Sequence, residues 1–118
     1  GTRPRGTNMV NIPLQAGADS AAIGSMLKNH WIPQLEAFEP QLLLISAGFD
    51  AHREDPLAGL AWTEDDYEQI TDALVQVTDT FCPGRIVSSL EGGYCLDALG
   101  RSVSSHITSL LKPLVLAA

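Results

Sequence analysis

The sequence predicts an α/β fold: a three-layer αβα arrangement around a parallel sheet, here a partial sheet of about three strands and three helices. Three observations carry that expectation. Apolar segments of strand length alternate with stretches of helical periodicity along the whole chain. The repeated order strand, helix, strand, helix calls for right-handed crossovers, and so for parallel strands. The connections at residues 48–62 and 91–94 are polar and glycine-containing, as expected where an open parallel sheet places a site beyond its C-terminal edge.

The first strand is expected over residues 9–14 (Met-Val-Asn-Ile-Pro-Leu), with Pro13 near its end because a proline cannot donate to a ladder. A helix follows over residues 19–38, placing Ile23, Met26, Leu27, His30, Trp31, Leu35 and Phe38 on one side. Asp19 or Ser20 can cap it, and Pro33 must kink or interrupt it by removing a backbone donor. Residues 41–47 (Gln-Leu-Leu-Leu-Ile-Ser-Ala) form a continuous apolar run, the pattern of a strand covered on both faces.

Thr63 with Asp66 makes a capping box for the second helix, and Tyr67, Ile70, Leu74, Val77 and Phe81 follow at steps of three and four. Pro83-Gly84 stops it. Residues 85–90 are the third strand, and residues 96–111 the third helix. The stripe of that helix is Leu96, Leu99, Val103, His106, Ile107 and Leu110, with Pro113 closing it. The 118 residues contain no internal repeat or low-complexity tract and are expected to form a single α/β segment.

The composition is 45% hydrophobic and 18% charged, as in a globular chain rather than a disordered one. A net charge of -7 argues against binding nucleic acid through its phosphates. The acidity would suit a cationic substrate such as a lysine-rich tail or a polyamine. Cys82 and Cys95 lack CxxC spacing, which speaks against a disulfide framework or a cysteine–zinc cluster and fits a reducing, cytoplasmic setting. The longest apolar run is far too short for a membrane span, which needs about 20 residues.

Two loops carry candidate chemistry. Asp50 follows the second strand, where a carboxylate can ligate a metal, act as a general base, cap a helix or hold turn amides. Asp55, before Pro56, reads as structural turn chemistry. In an extended segment Asp50 and His52 would point the same way and could share a metal, yet one Asp and one His fall short of the three protein ligands of a catalytic zinc. His30 and His106 lie on helical stripes and read as core or boundary residues. In the second loop, Gly92-Gly93 opens the backbone to close approach, and Tyr94 sets a phenol at the sheet's mouth. That phenol can donate to a developing oxyanion or simply pack beside a tight turn. No nucleophile elbow, phosphate loop or dinucleotide fingerprint is present.

Taken together, the loops resemble a known family. The run Ser46-Ala47-Gly48-Phe49-Asp50-Ala51-His52-Arg53-Glu54-Asp55-Pro56-Leu57-Ala58-Gly59-Leu60 is similar to the signature of class II-like histone deacetylases, bacterial deacetylase-like amidohydrolases and acetoin-utilisation proteins. Leu90-Glu91-Gly92-Gly93-Tyr94 resembles their glycine-rich loop and tyrosine, and Asn11-Ile12-Pro13-Leu14 and Phe38-Glu39-Pro40 look like further landmarks. The resemblance covers nearly the whole chain and points to the C-terminal part of the catalytic domain. It implies an arginase/deacetylase-type fold and a zinc-dependent amidohydrolase acting on acetyl-lysine or acetylpolyamine.

Carried over by residue, the resemblance makes Asp50 a zinc ligand and Tyr94 the group that polarises the substrate carbonyl. Gly92 and Gly93 line the acyl-lysine channel, and Leu57 lies at its rim. It implies that His52 is not a ligand, because the family's Asp-x-His pair lies upstream on another strand. One subclass has histidine in place of this tyrosine and loses most activity, so Tyr94 favours descent from an active enzyme. The departure is large: the tandem general-base histidines and the Asp-x-His pair match nothing here, and the three histidines include no adjacent pair. The chain alone is therefore expected to be inactive. The alternative is a truncated, non-catalytic homologue that binds partners or self-associates through an exposed sheet edge or apolar face. An arginase-like metallohydrolase would need more carboxylates in the first loop than Asp50 and Asp55 supply.

Overall fold

In the computed structural model, which describes residues 6–117 and side chains as far as Lys112, two parallel strands lie beside a helical layer. Asp19 opens the first helix, its Oδ1 accepting from the Ala21 amide at 3.1 Å. What the periodicity predicts as one kinked helix is α1 (Ser20–Met26), a π-helical turn (Leu27–Trp31) and α2 (Ile32–Phe38). The break falls where Pro33 withholds its amide, and the wider turn absorbs the mismatch. It also rotates the apolar stripe. Ile23, Met26 and Leu27 are buried, whereas His30 and Phe38, expected on the same stripe, are exposed.

Two of the three expected strands form, β1 (Leu43–Ala47) and β2 (Ile86–Leu90), paired in parallel from Leu43↔Ile86 to Ala47↔Leu90. Residues 9–14 form no strand. Pro13 cannot donate to a ladder, and Ile12 packs instead against the Ile23–Met26–Leu27 cluster. Between β1 and β2 runs α3 (Glu64–Phe81), whose capping box forms as its sequence dictates: the Thr63 amide donates to Asp66 Oδ2 at 2.8 Å. The last helix, α4 (Leu96–Ala117), runs through Pro113 rather than ending there, since a proline forfeits one amide bond without forbidding further helix.

Side chains alternate across the sheet. Ile45 and Ala47 join the core with Phe49, Ala51 and Tyr67, with Leu99 and Val103 packed against it. On the other face Leu42, Leu44 and Val87 are 51%, 68% and 56% exposed. The run expected to be covered on both faces is thus covered on one. A cavity of about 650 Å³ opens beside β1, walled by Trp31, Leu35 and Phe38 on one side and Leu43, Leu44 and Ile45 on the other.

A buried polar chain holds α3, α4 and β2 together. His106 Nδ1 lies 2.7 Å from Thr71 Oγ1, and its Nε2 lies 2.8 Å from Ser88 Oγ. Thr71 spends its own proton on the Tyr67 carbonyl, at 2.6 Å. The imidazole is therefore the neutral Nδ1–H tautomer, donating to Thr71 and accepting from Ser88. Burial pushes its pKa below the ordinary 6.5. Between the two values the unfolded chain holds more protons, so stability is full above pH 6.5 and is lost as pH falls through the depressed value. Denaturant titrations should show that decline in the wild type. His106→Ala should remove this pH dependence and cost about 2–3 kcal/mol at neutral pH, because it leaves a cavity and strips the Ser88 hydroxyl of its acceptor.

Candidate active site

Because β1 and β2 are parallel and end in register at Ala47↔Leu90, both following loops leave the same edge of the sheet. The ladder continues past the strands: the Glu91 amide donates to the Ala47 carbonyl at 2.9 Å, and the Phe49 amide to the Gly92 carbonyl at 2.8 Å. Ser46 Oγ donates to Glu91 Oε1 at 2.9 Å. The first turn of the loop at 48–62 is thereby zipped to the 91–95 turn.

That zipper places the half-buried Asp50 carboxylate between two glycines. A Cβ on Gly92 would stand 3.0 Å from both Cγ and Oδ2 of Asp50, and one on Gly48 would stand 3.1 Å from Oδ1. Glycine at both positions is what admits a carboxylate so close to two backbones. Among the described residues nothing donates a hydrogen bond to Asp50 or pairs with its charge. A partly desolvated carboxylate without a donor is costly, and a cation placed on it would relieve that cost.

Tyr94 lies two residues on, with its side chain 58% exposed. Its backbone, by contrast, is held: Asp55 Oδ2 accepts from the amides of Tyr94 at 2.7 Å and Cys95 at 3.1 Å. Asp55 Oδ1 takes the Leu57 amide at 3.0 Å. Burial alone would raise the Asp55 pKa, but the Tyr94, Leu57 and Cys95 amides and nearby His52 outweigh it and hold the carboxyl below its ordinary range. Gly93 bridges these contacts at φ 138, a conformation that side chains rarely adopt. A Cβ there would meet Leu99 Cδ1 at 2.7 Å and Phe49 Cβ at 3.2 Å. Gly93→Ala is expected to destabilise the chain by about 1–3 kcal/mol, read from thermal or denaturant unfolding.

Beneath the loop, Tyr67 and Phe49 pack with ring centroids 4.9 Å apart. Burial, with the Asp50 charge adding to it, drives the Tyr67 phenol well above its ordinary pKa, so it stays protonated under the backbone of Ala51 and His52. His52, 1% exposed, accepts the Glu54 amide on Nδ1 at 3.1 Å and turns Nε2 toward Glu64 Oε2 at 3.4 Å. Glu54 and Glu64 both hold the Arg101 guanidinium of α4. That bond, followed by the Glu64 backbone amide and His52, lowers the Glu64 pKa to about 2. His52, Glu54 and Glu64 lie close enough together to suggest a metal site. Two facts oppose it: Arg101 already engages both carboxylates, and a proton donated into Nδ1 leaves Nε2 carrying the imidazole's own hydrogen. We read the group as an ion-pair network tying α4 to the loop.

Of the residues singled out from sequence, Asp50, Gly92, Gly93 and Tyr94 come together at one sheet edge. Leu57, 66% exposed, joins them through Asp55. Sequence reasoning missed the Gly48 half of the cradle and the reach of Asp55 across 39 positions to Tyr94. It also missed the Arg101 tether. The Asp-Pro step announces a turn, but no local pattern reveals a bond so distant in sequence.

The family model described as the Histone deacetylase domain matches residues 1–110. The chain belongs to the histone deacetylase family. It is 44% identical over 108 residues to Type-2 histone deacetylase 2 of Dictyostelium discoideum, covering 89% of this chain and 6% of that protein. It is 36% identical over 92 residues to the histone deacetylase-like amidohydrolase of Pseudomonas aeruginosa, covering 78% of this chain and 24% of that one. The crystal structure of the HDA15 HD domain superposes with a TM-score of 0.75 at 33% identity, over 83% of this chain and 26% of that one. The arginase/deacetylase fold expected from the loop motifs is therefore the fold of this histone deacetylase segment, represented here by its small parallel sheet and helices. The segment spans about a quarter or less of these relatives. No helix among the described residues is long and apolar enough to cross a membrane.

Family chemistry generally uses zinc. The orphaned carboxylate of Asp50 in its glycine cradle suits one ligand of such an ion, but the described residues supply no further ligand at that point.

Proposed function

We propose that this segment forms the carboxylate-and-phenol side of a deacetylase active site acting on acetyl-lysine or acetylpolyamine amides. In this reading the remaining metal ligands and the general base come from outside these residues. The observation that carries it is the Asp50 carboxylate, unpaired and cradled by glycines from both loops, beside the turn that presents Tyr94. Bound zinc would supply a Lewis acid. The chain's own contribution is orientation: Asp50 fixes where the ion sits, and the Tyr94 hydroxyl donates to the oxygen that gains charge as the amide carbonyl is attacked. Gly92 and Gly93 leave the channel wall without side chains there. The net charge of -7 favours a cationic carrier of the acetyl group.

Among the described residues no histidine stands ready at Asp50 to activate water. His30 is exposed on the π turn, while His52 and His106 are committed to the ion network and the buried polar chain. The 118 residues alone should therefore give no turnover of a fluorogenic acetyl-lysine substrate with zinc. Combined with the remaining residues of a relative's deacetylase domain (the completed domain), they should turn over. Turnover by the isolated chain, abolished by chelation and by Tyr94→Phe, would refute the inactivity; a completed domain that binds metal but never hydrolyses amides would refute the deacetylase reading.

A second reading rests on the bare sheet face. Leu42, Leu44, Val87 and Phe38 form an exposed apolar surface beside the cavity, which suits a self-associating, non-catalytic module. Size-exclusion of the isolated chain separates the two: a clean monomer counts against self-association.

A further inference from the structure

We infer that Asp55 is a positioning residue for the Tyr94 phenol, a role that rests on the deacetylase reading and adds to it. Three features distinguish it from an ordinary turn residue. Its carboxylate is 8% exposed, and every bond it makes is to a backbone amide: Leu57 on Oδ1, Tyr94 and Cys95 on Oδ2. Pro56 and the two-residue Asp55–Leu57 bond stiffen the segment locally, so the carboxylate is presented in one orientation. The amides it holds on Oδ2 are those of the proposed oxyanion donor and of the residue that leads into α4, where the Leu99 amide returns to the Cys95 carbonyl at 2.8 Å.

Side-chain placement at Tyr94 follows from its backbone, because the ring itself is exposed and little packs against it. Gly93, at φ 138, lets the chain pivot immediately before Tyr94. Gly92 is fixed by its carbonyl bond to Phe49, so Asp55 is the only side chain among the described residues that hydrogen-bonds beyond that pivot at the Tyr94 amide. The same loop carries Asp50. Asp55 therefore sets the distance between the carboxylate and phenol halves of the site. Arg101, bound to Glu54 and Glu64, holds α4 to the loop one turn further along and limits how far the 91–95 turn moves when Asp55 is changed.

Asp55→Ala tests this by removing the acceptor. Alanine accepts no hydrogen bond, so the Leu57, Tyr94 and Cys95 amides all lose their side-chain partner. In the full chain, amide hydrogen exchange at Tyr94 and Cys95 should accelerate at least about tenfold while α3 amides keep their wild-type protection. Unchanged protection at Tyr94, or equal loosening of every amide, overturns the proposal, and neither result depends on catalysis. In the completed domain, Asp55→Ala should lower kcat about 10–100-fold with KM within about twofold, because a displaced donor costs transition-state rather than ground-state binding. In a Tyr94→Phe background the same substitution should cost less than about threefold. Full multiplication of the two losses would show that Asp55 acts independently of the phenol and overturn the proposal. A completed domain inactive in every form would refute the deacetylase reading, and the exchange data would still decide the positioning.

Discussion

Tyr94→Phe is expected to lower kcat of the completed deacetylase by about 10²–10³-fold, the usual loss when one oxyanion donor is removed. KM should barely move, since the hydrogen bond is made to charge that develops only in the transition state. The folding midpoint should also stay put. The ring is 58% exposed, and what anchors the residue is its amide on Asp55, which phenylalanine keeps. Steady-state kinetics on an acetyl-lysine peptide, run beside a thermal melt, separates the outcomes. Loss of rate together with a lowered melting point would make Tyr94 a structural residue, and an unchanged rate would remove it from the chemistry.

Gly92→Ala should act on the other half of the site without removing any polar group. Gly92 has no positive φ to defend, so the backbone accepts alanine. The new methyl, however, would lie 3.0 Å from Cγ and Oδ2 of Asp50, closer than carbon and a carboxylate tolerate. Asp50 is the mobile partner and must swing out of the cradle. Zinc affinity of the completed domain is therefore expected to fall about 10–100-fold, the range seen when the support of a ligand is disturbed. The change in unfolding free energy should stay within about 1 kcal/mol. A metal-competition titration gives the affinity. Wild-type affinity in the alanine variant would mean that the cradle does not orient a ligand.

The local chemistry of this chain was legible where neighbours in sequence decide it. Thr63 and Asp66 form their capping box, Asp19 caps α1, and Pro83-Gly84 ends α3 close to where it should. The two sheet-edge loops were legible because parallel order forces them to one side. What escaped was set by packing or by distance along the chain. Residues 9–14 have strand composition, but Ile12 gains more from the α1 cluster than Pro13 permits it to gain from a ladder. The stripe from Ile23 to Phe38 assumes an unbroken α period, and the π turn resets the phase so that Phe38 emerges 73% exposed. Asp55 before Pro56 reads as structural turn chemistry, and its turn bond to the Leu57 amide is present, while its bonds to Tyr94 and Cys95 depend on the meeting of β1 and β2.

The central claim is that Asp50 and Tyr94, delivered by neighbouring parallel strands, serve one metal-centred site completed from outside these residues. Its most direct test is acetyl-lysine hydrolysis by the completed domain carrying Asp50→Ala, assayed with zinc in excess. We predict that turnover falls to the level of the substrate in buffer while the protein remains folded by circular dichroism. Turnover at the unmutated rate would contradict the claim, because the carboxylate between Gly48 and Gly92 would then have no part in holding the catalytic ion.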